Sequence, residues 1–211
     1  MKGRNVFLII FILVLADQVL KIYVKTHFHE GELRPVLGQW FNLWFVENEG
    51  MAYGWKFGGE WGKIILTLFR LAAVIFGIFY IRKIVLKNSH PGFIFCAALI
   101  FAGALGNLID SMFYGLIFDD SAGMAISKMF PAHGYAGFLH GKVVDMLYFP
   151  LIHKNGNVIF FSPIFNLADA SISTGVIAVL VFQKKFFRSH SEGESRTIET
   201  NAIVNDEVQV S

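Results

Sequence analysis

Four stretches of this chain approach the ~20 consecutive apolar residues that a helix needs to cross the hydrocarbon core of a bilayer. They are Val6–Tyr23, Ile64–Ile81, Phe93–Phe113 and Ile164–Phe182, with predicted helices over about 6–24, 62–82, 93–113 and 164–184. Only 16% of the 211 residues are charged, and 23 are Phe. A soluble domain carries roughly a quarter charged residues, so lipid is the expected solvent for much of the surface. Lys2 and Arg4 give the first span the look of a cleavable leader. Its distal half, however, carries Asp17, Gln18 and Lys21 and no small-x-small site follows, so it is read as retained.

Lys and Arg in short loops set orientation. Arg82, Lys83 and Lys87 crowd the linker between the second and third spans, Lys2 and Arg4 precede the first, and Lys184, Lys185 and Arg188 follow the fourth. Both termini and that linker are therefore expected in the cytoplasm, with the two long loops, 25–61 and 114–163, outside. The first of these is rich in aromatics, among them Trp40, Phe41, Trp44, Phe45, Tyr53 and Trp55, and predicts short strands in the interfacial belt. In the second, Lys154-Asn155-Gly156-Asn157 predicts a hairpin turn between Val143–Ile152 and Val158–Phe161. Residues 114–140 mix Asp119 and Asp120 with Met124, Ile126, Met129 and Phe130, and read as an amphipathic surface segment or lid. The expected fold is an all-α polytopic membrane protein: a four-transmembrane-helix bundle over residues 1–185 with a small extracytoplasmic β-rich interfacial subdomain. Residues 186–211 are polar, lack a hydrophobic stripe and are expected to form a disordered cytoplasmic tail.

Charges inside such spans cost several kcal/mol each and need a reason. With this orientation Asp17, Arg70, Asp110 and Asp169 fall in one shallow layer near the outer face, and Asp145 lies in the outer loop that leads to the last helix. Asp17 and Lys21 are one turn apart and read as a structural ion pair. Arg70 reads as a countercharge to Asp17 or Asp110 rather than a substrate ligand. Asn107-x-x-Asp110 and Asn166-x-x-Asp169 each place an amide and a carboxylate on one face of a helix turn; taken alone, either pair is more often interhelical glue than catalytic machinery. Gly103, Ala104, Gly106, Ala168, Ala170, Ser171 and Gly175 are small enough to let the third and fourth helices approach closely.

The seven histidines show no metal-ligand spacing, no GxSxG elbow is present, and Cys96 sits in an apolar run without a histidine partner and reads as a buried small hydrophobe. No metal or organic cofactor is expected. What remains is a carboxylate pair, in which two close aspartates share one proton: one activates water and the other protonates the leaving group. A net charge of +2 with scattered basic residues argues against nucleic acid as a partner. An ion-coupled carrier would also gather charges inside a bundle, but it should show inverted halves and midplane charges; neither is visible here. A non-catalytic scaffold of helices is the other competing reading.

Five blocks occur in order: Asp17-Gln18-Val19-Leu20-Lys21, Asn48-Glu49-Gly50-Met51-Ala52, Gly103-Ala104-Leu105-Gly106-Asn107-Leu108-Ile109-Asp110, Val143-Val144-Asp145 and Phe165-Asn166-Leu167-Ala168-Asp169. Together, over about residues 5–184, they resemble the signature of lipoprotein signal peptidase, also called signal peptidase II. The resemblance implies an aspartic endopeptidase of the bacterial inner membrane whose dyad is Asp145 and Asp169. It also implies that Asn48, Asn107 and Asn166 orient substrate or catalytic groups, with Gly50 and Ala168 in the same blocks, and that Asp17, Lys21 and Asp110 support the fold around them. The implied partners are membrane lipid and diacylglyceryl-modified prolipoproteins, cut just before the lipidated cysteine by a protein expected to be a monomer. Ser111 stands where the family pattern usually has arginine, and Arg70, at similar depth, is the candidate to supply that charge.

Overall fold

A computed structural model describes residues 1–38, 40–49, 59–150, 152–154, 157–160 and 163–187. Four long helices dominate it: α1 (Gly3–His27), α2 (Gly59–Leu86), α3 (Pro91–Ile109) and α4 (Leu167–Phe187). α3 runs on through one π-helical turn, Asp110–Tyr114, and a last α-turn, Gly115–Ile117. All four are long and apolar enough to cross a membrane. They are not equivalent, however. Of the most apolar window of α3, 56% is buried inside the protein, against 11–17% for the others, which makes α3 the axis on which the rest pack. The outward faces of α1, α2 and α4 expose Phe7, Phe11, Trp61, Phe69, Phe76, Phe79, Val181 and Phe187. An apolar surface of that extent has a place in lipid and not in water.

Close approach is written into α3. A Cβ at Gly103 would lie 2.2 Å from the Ala168 carbonyl oxygen, and one at Gly106 would lie 2.7 Å from Asp17 Oδ2. These glycines let the start of α4 and the middle of α1 press against the α3 backbone, the small-residue packing that membrane helices use. At the opposite end, His90 accepts the Gly92 N–H through Nδ1 (3.1 Å) and Pro91 occupies the first turn, so α3 starts sharply after the turn from α2.

Over the other end of the bundle lies an antiparallel sheet, ordered β1 (Leu33–Leu37), β2 (Phe41–Asn48), β3 (Val143–Tyr148) and, last in chain order, β6 (Ile164–Phe165). A separate hairpin pairs β4 (Ile152–Lys154) with β5 (Asn157–Phe160), as the turn signal predicts; Asn155 and Gly156 themselves lie outside the described residues, as do Tyr53 and Trp55. The expected long strand Val143–Ile152 is instead two short ones. β3 ends before Pro150, which has no N–H to give a ladder. In β3, Val144 and Met146 join Val24, Phe28, Phe45, Tyr114 and Phe118 in a buried cluster that fixes the sheet to the ends of α1 and α3. Side chains alternate along a strand, so Asp145 between them faces the other way, and it too is buried.

One further expectation is corrected. The fourth helix starts at Leu167, because Ile164 and Phe165 pair with Tyr148 and Leu147 as a strand and Asn166 caps the helix. The segment after α3 lies at the surface, with Ile126, Met129 and Phe130 exposed, and folds back on the helix end that precedes it. Phe130, Ala136, Leu139 and Gly141 donate their N–H groups to the carbonyls of Ile117, Gly115, Met112 and Ser111, which the end of a helix leaves without partners.

Candidate active site

Asp145 and Asp169 meet through two asparagines. Asn166 Nδ2 donates to Asp145 Oδ1 (2.7 Å) and to Asn107 Oδ1 (3.1 Å), while Asn107 Nδ2 donates to Asp169 Oδ1 (2.7 Å). Asn166 is also the cap of α4: its Oδ1 accepts the Asp169 N–H (2.8 Å), and its own N–H reaches back to Asp169 Oδ2 (3.4 Å). This reciprocal bonding is a capping box with Asp in the acidic position. Asn166-x-x-Asp169 therefore works as a cap at the helix start and not, as the spacing suggests, as a pair on one face within a helix. Asn107 and Asp110 do lie on continuous helix, where Lys21 joins them. Asn48 completes the near surroundings of Asp145, donating from Nδ2 to Oδ2 at 3.0 Å. The β2–β3 register delivers it, with Asn48 opposite Val143 and Val46 opposite Asp145.

Asp145 is only 4% exposed. Burial, reinforced by the neighbouring negative charge of Asp169, pushes its carboxyl up to about 7, although the two asparagine donors and Lys21 pull the other way. A carboxyl so poised is half-protonated near neutral pH, the condition for one member of a pair to hold a proton that the other lacks.

Behind the pair sits a dry ionic core. Lys21 is fully buried and spends its three N–H donors on Asp17 Oδ2 (2.9 Å), Asp110 Oδ2 (2.7 Å) and Asn107 Oδ1 (2.9 Å). Asp17 Oδ1 accepts the Ala168 N–H (2.9 Å), which puts a carboxylate from α1 at the positive end of α4. Asp110 Oδ2 reaches the Val144 N–H at 3.4 Å, and Gln18 Nε2 bridges Asp110 Oδ1 (2.9 Å), Asp17 and the Gly106 carbonyl. This core locks α1, α3, α4 and β3 together at the level of the aspartates. Ala168 contributes its backbone N–H and its smallness.

Arg70 makes no ion pair with Asp17 or Asp110, though Asp110, after Asp169, acts on it through space. Lys21 takes both Asp17 and Asp110, because it sits one turn from Asp17 on the same helix and is short enough to remain inside. The Arg70 guanidinium instead donates from Nη1 to Ser111 Oγ (2.7 Å). Gly50 lies outside the described residues. A second buried group is absent from the expectations: Lys25 (0% exposed) pairs with Glu47 and hydrogen-bonds Ser121 Oγ at 2.9 Å, and Glu47 also binds Lys142 at 2.8 Å. A signal for it exists, since Lys25 stands four residues beyond Lys21, on the same helix face.

The comparisons with known proteins point one way. A family model described as "Signal peptidase (SPase) II" matches residues 9–185. A curated "Lipoprotein signal peptidase" of Porphyromonas gingivalis is 44% identical over 192 residues, 85% of this chain and 83% of the relative. Another, from Amoebophilus asiaticus, is 35% identical, covering 82% and 74%. Among solved structures, one described as a bacterial membrane enzyme aligns with a TM-score of 0.57 at 25% identity, covering 87% of this chain and 89% of the other.

Proposed function

The chain belongs to the signal peptidase II family, and from that premise we propose that it removes signal peptides from prolipoproteins with Asp145 and Asp169 as its catalytic pair. The substrate is a diacylglyceryl-modified prolipoprotein, and the bond broken is the one just before the lipidated cysteine. The observation that carries this reading is the pair of hydrogen bonds through Asn166, which holds Asp145 by its amide and Asp169 by its cap. Two carboxyls fixed on one residue, with one of them poised near 7, support shared-proton chemistry.

In the reaction, the carboxylate of the pair accepts a proton from a water molecule as that water's oxygen attacks the scissile carbonyl carbon. The proton held by the other member passes to the departing amine as the C–N bond breaks. Asn48, Asn107 and Asn166 fix the rotamers of both carboxyls so that little reorganisation is needed. The ionic core of Asp17, Lys21 and Asp110 holds in register the three helices and the strand that carry these groups. The lysines and arginines of the termini and of the turn after α2 favour both ends in the cytoplasm, which puts the pair toward the outer face, within reach of water and of a substrate arriving through the bilayer.

The test is mass spectrometry of the products after incubating the purified protein, in detergent, with a diacylglyceryl-modified prolipoprotein. A lipidated product beginning at the modified cysteine is expected. An intact substrate, or a cut elsewhere, contradicts the reading.

A further inference from the structure

Arg70 is a cation on a membrane helix, partly buried, at the depth of the aspartate pair. Burial there is justified only by a partner, and those at hand are incomplete. Among the described residues its one hydrogen bond goes to an uncharged group, Ser111 Oγ, at 2.7 Å. Asp17 and Asp110 bond Lys21, at 2.9 and 2.7 Å, and not Arg70. Asp169, Asp110 and Asp145 act on it through space, without an ion pair to any of them.

The bond it makes among the described residues is an anchor. Ser111 sits in the π-helical turn that ends α3, a kind of local break that often marks functional sites. Its hydroxyl gives its hydrogen to the Asn107 carbonyl (2.9 Å) and so turns its lone pairs to Arg70. Asn107 in turn holds Asp169 (2.7 Å). A guanidinium has five N–H donors in a planar fork. Here one corner is fixed to α3, which carries the Asn107 that holds Asp169, and the other donors have no acceptor among the described residues.

We propose that Arg70 is a substrate-binding residue whose unused N–H groups take carbonyl oxygens of the substrate on the α2 side of Asp145 and Asp169. This rests on the function proposed above and extends it. The required ligand chemistry is a neutral carbonyl acceptor. A lipid-modified peptide offers two sources: peptide carbonyls of the extended segment around the scissile bond, which no helix satisfies, and the ester carbonyls of the diacylglyceryl group. Either one completes the fork that Ser111 leaves open, and binding at both the anchor and the substrate registers the scissile bond against the pair.

The experiment measures kcat and KM in detergent for wild type, Arg70→Gln, Arg70→Lys and Asp145→Asn, on a diester-linked prolipoprotein and on its dialkyl-ether analogue, which has no ester carbonyls. Folded fraction is determined by size exclusion and thermal melting, and rates are expressed per folded molecule. Losing charge-assisted hydrogen bonds is expected to cost Arg70→Gln about 10- to 100-fold in kcat/KM. Arg70→Lys, which keeps the charge and loses the planar fork, is expected to fall between. A loss equal on both substrates assigns the bond to peptide carbonyls; a loss confined to the diester assigns it to the lipid esters. Arg70→Gln and Arg70→Lys within twofold of wild type per folded molecule on both substrates would overturn the proposal, whatever they do to stability. If wild type cuts and Asp145→Asn does not, that failure touches Arg70 alone. If wild type cuts neither substrate, the function reading falls and this proposal with it.

Discussion

Glu47 is the point at which the sheet subdomain is most exposed to a single change. Its carboxylate is 1% exposed and serves Lys25, which is itself fully buried, and Lys142, which is 23% exposed at its side chain. Burial alone would raise the Glu47 carboxyl, but the two lysines outweigh it and hold it below the usual carboxylate range. Glu47→Gln keeps the shape and an acceptor oxygen and removes only the charge. Lys142 can turn to water, so its share is that of a surface pair, below about 1 kcal/mol. Lys25 cannot leave. It retains Ser121 and the faces of Phe118 and Tyr135, 5.3 and 5.0 Å from the ring centres, but no anion. Stranding a buried charge costs about 3–5 kcal/mol, and those residual contacts put the expectation at the low end, about 3 kcal/mol. At about 2–4 °C per kcal/mol for a chain of this size, the melting midpoint in detergent should drop by about 6–12 °C.

The sign with pH follows from the same group. A carboxyl whose folded value is lowered contributes stability that is present above its ordinary value of 4.5 and is lost as pH falls through the folded value. The Glu47→Gln deficit should therefore be full at pH 7 and shrink under acid. Lys25→Met combined with Glu47→Leu should recover much of the loss, since both charges then go. A Glu47→Gln protein that melts within 2 °C of wild type at pH 7 would refute the reasoning, as would a deficit that grows on acidification.

Further outcomes follow from the geometry. Asp145 is an acid with a raised folded value, so its anion is penalised in the fold and stability is given up as pH rises from about 4 to about 7. Asp145→Asn should accordingly melt higher than wild type at pH 8, on the order of 2 kcal/mol once the crowding of the new amide against the Asn48 and Asn166 donors is discounted; toward pH 4 the advantage should disappear and turn into a deficit, because only the crowding remains, and a variant that melts lower than wild type at pH 8 contradicts this. Gly103→Ala puts a methyl group 2.2 Å from the Ala168 carbonyl oxygen, which forces α4 outward by on the order of 1 Å and should cut kcat about 100-fold; unchanged turnover would show that the helix contact does not position Asp169. For orientation, a cysteine replacing Ala125 should react with a membrane-impermeant maleimide on intact spheroplasts and one replacing Lys87 should not; the reverse pattern would invert the topology.

How far the sequence discloses this protein depends on the residue. The helices and the depth of their charges are legible because lipid punishes every exception, so Asp17, Lys21 and Asp110 mark a site by their positions in the apolar runs alone. Asn166 is harder. A capping box and a pair within a helix have the same spacing, and only the pairing of Ile164 and Phe165 with β3 decides where α4 begins. Arg70 is only partly legible: Asp110 acts on it through space, but the direct ion pairs to Asp17 and Asp110 go to Lys21, one turn from Asp17 on the same helix. Glu47 carries no isolated signal, since a glutamate in an outer loop is ordinary until the β2–β3 pairing brings Lys142 to it and the fold of residues 118–127 brings Ser121. Residues 130–141 fold back for a local reason: the end of α3 leaves carbonyls unsatisfied, and the nearest N–H donors are those of the chain that follows it.

The central claim is that Asp145 and Asp169 act as one catalytic pair, and single-turnover cleavage of a diacylglyceryl-modified prolipoprotein by Asp145→Asn and Asp169→Asn tests it most directly. Both variants should remain folded and bind the substrate, and both should lose cleavage by at least about 1,000-fold, with the double variant hardly worse than either single one because the two groups work as a unit. Cleavage at near wild-type rate by either folded variant would contradict the assignment and move the chemistry to other carboxylates of the layer, Asp17 and Asp110 first.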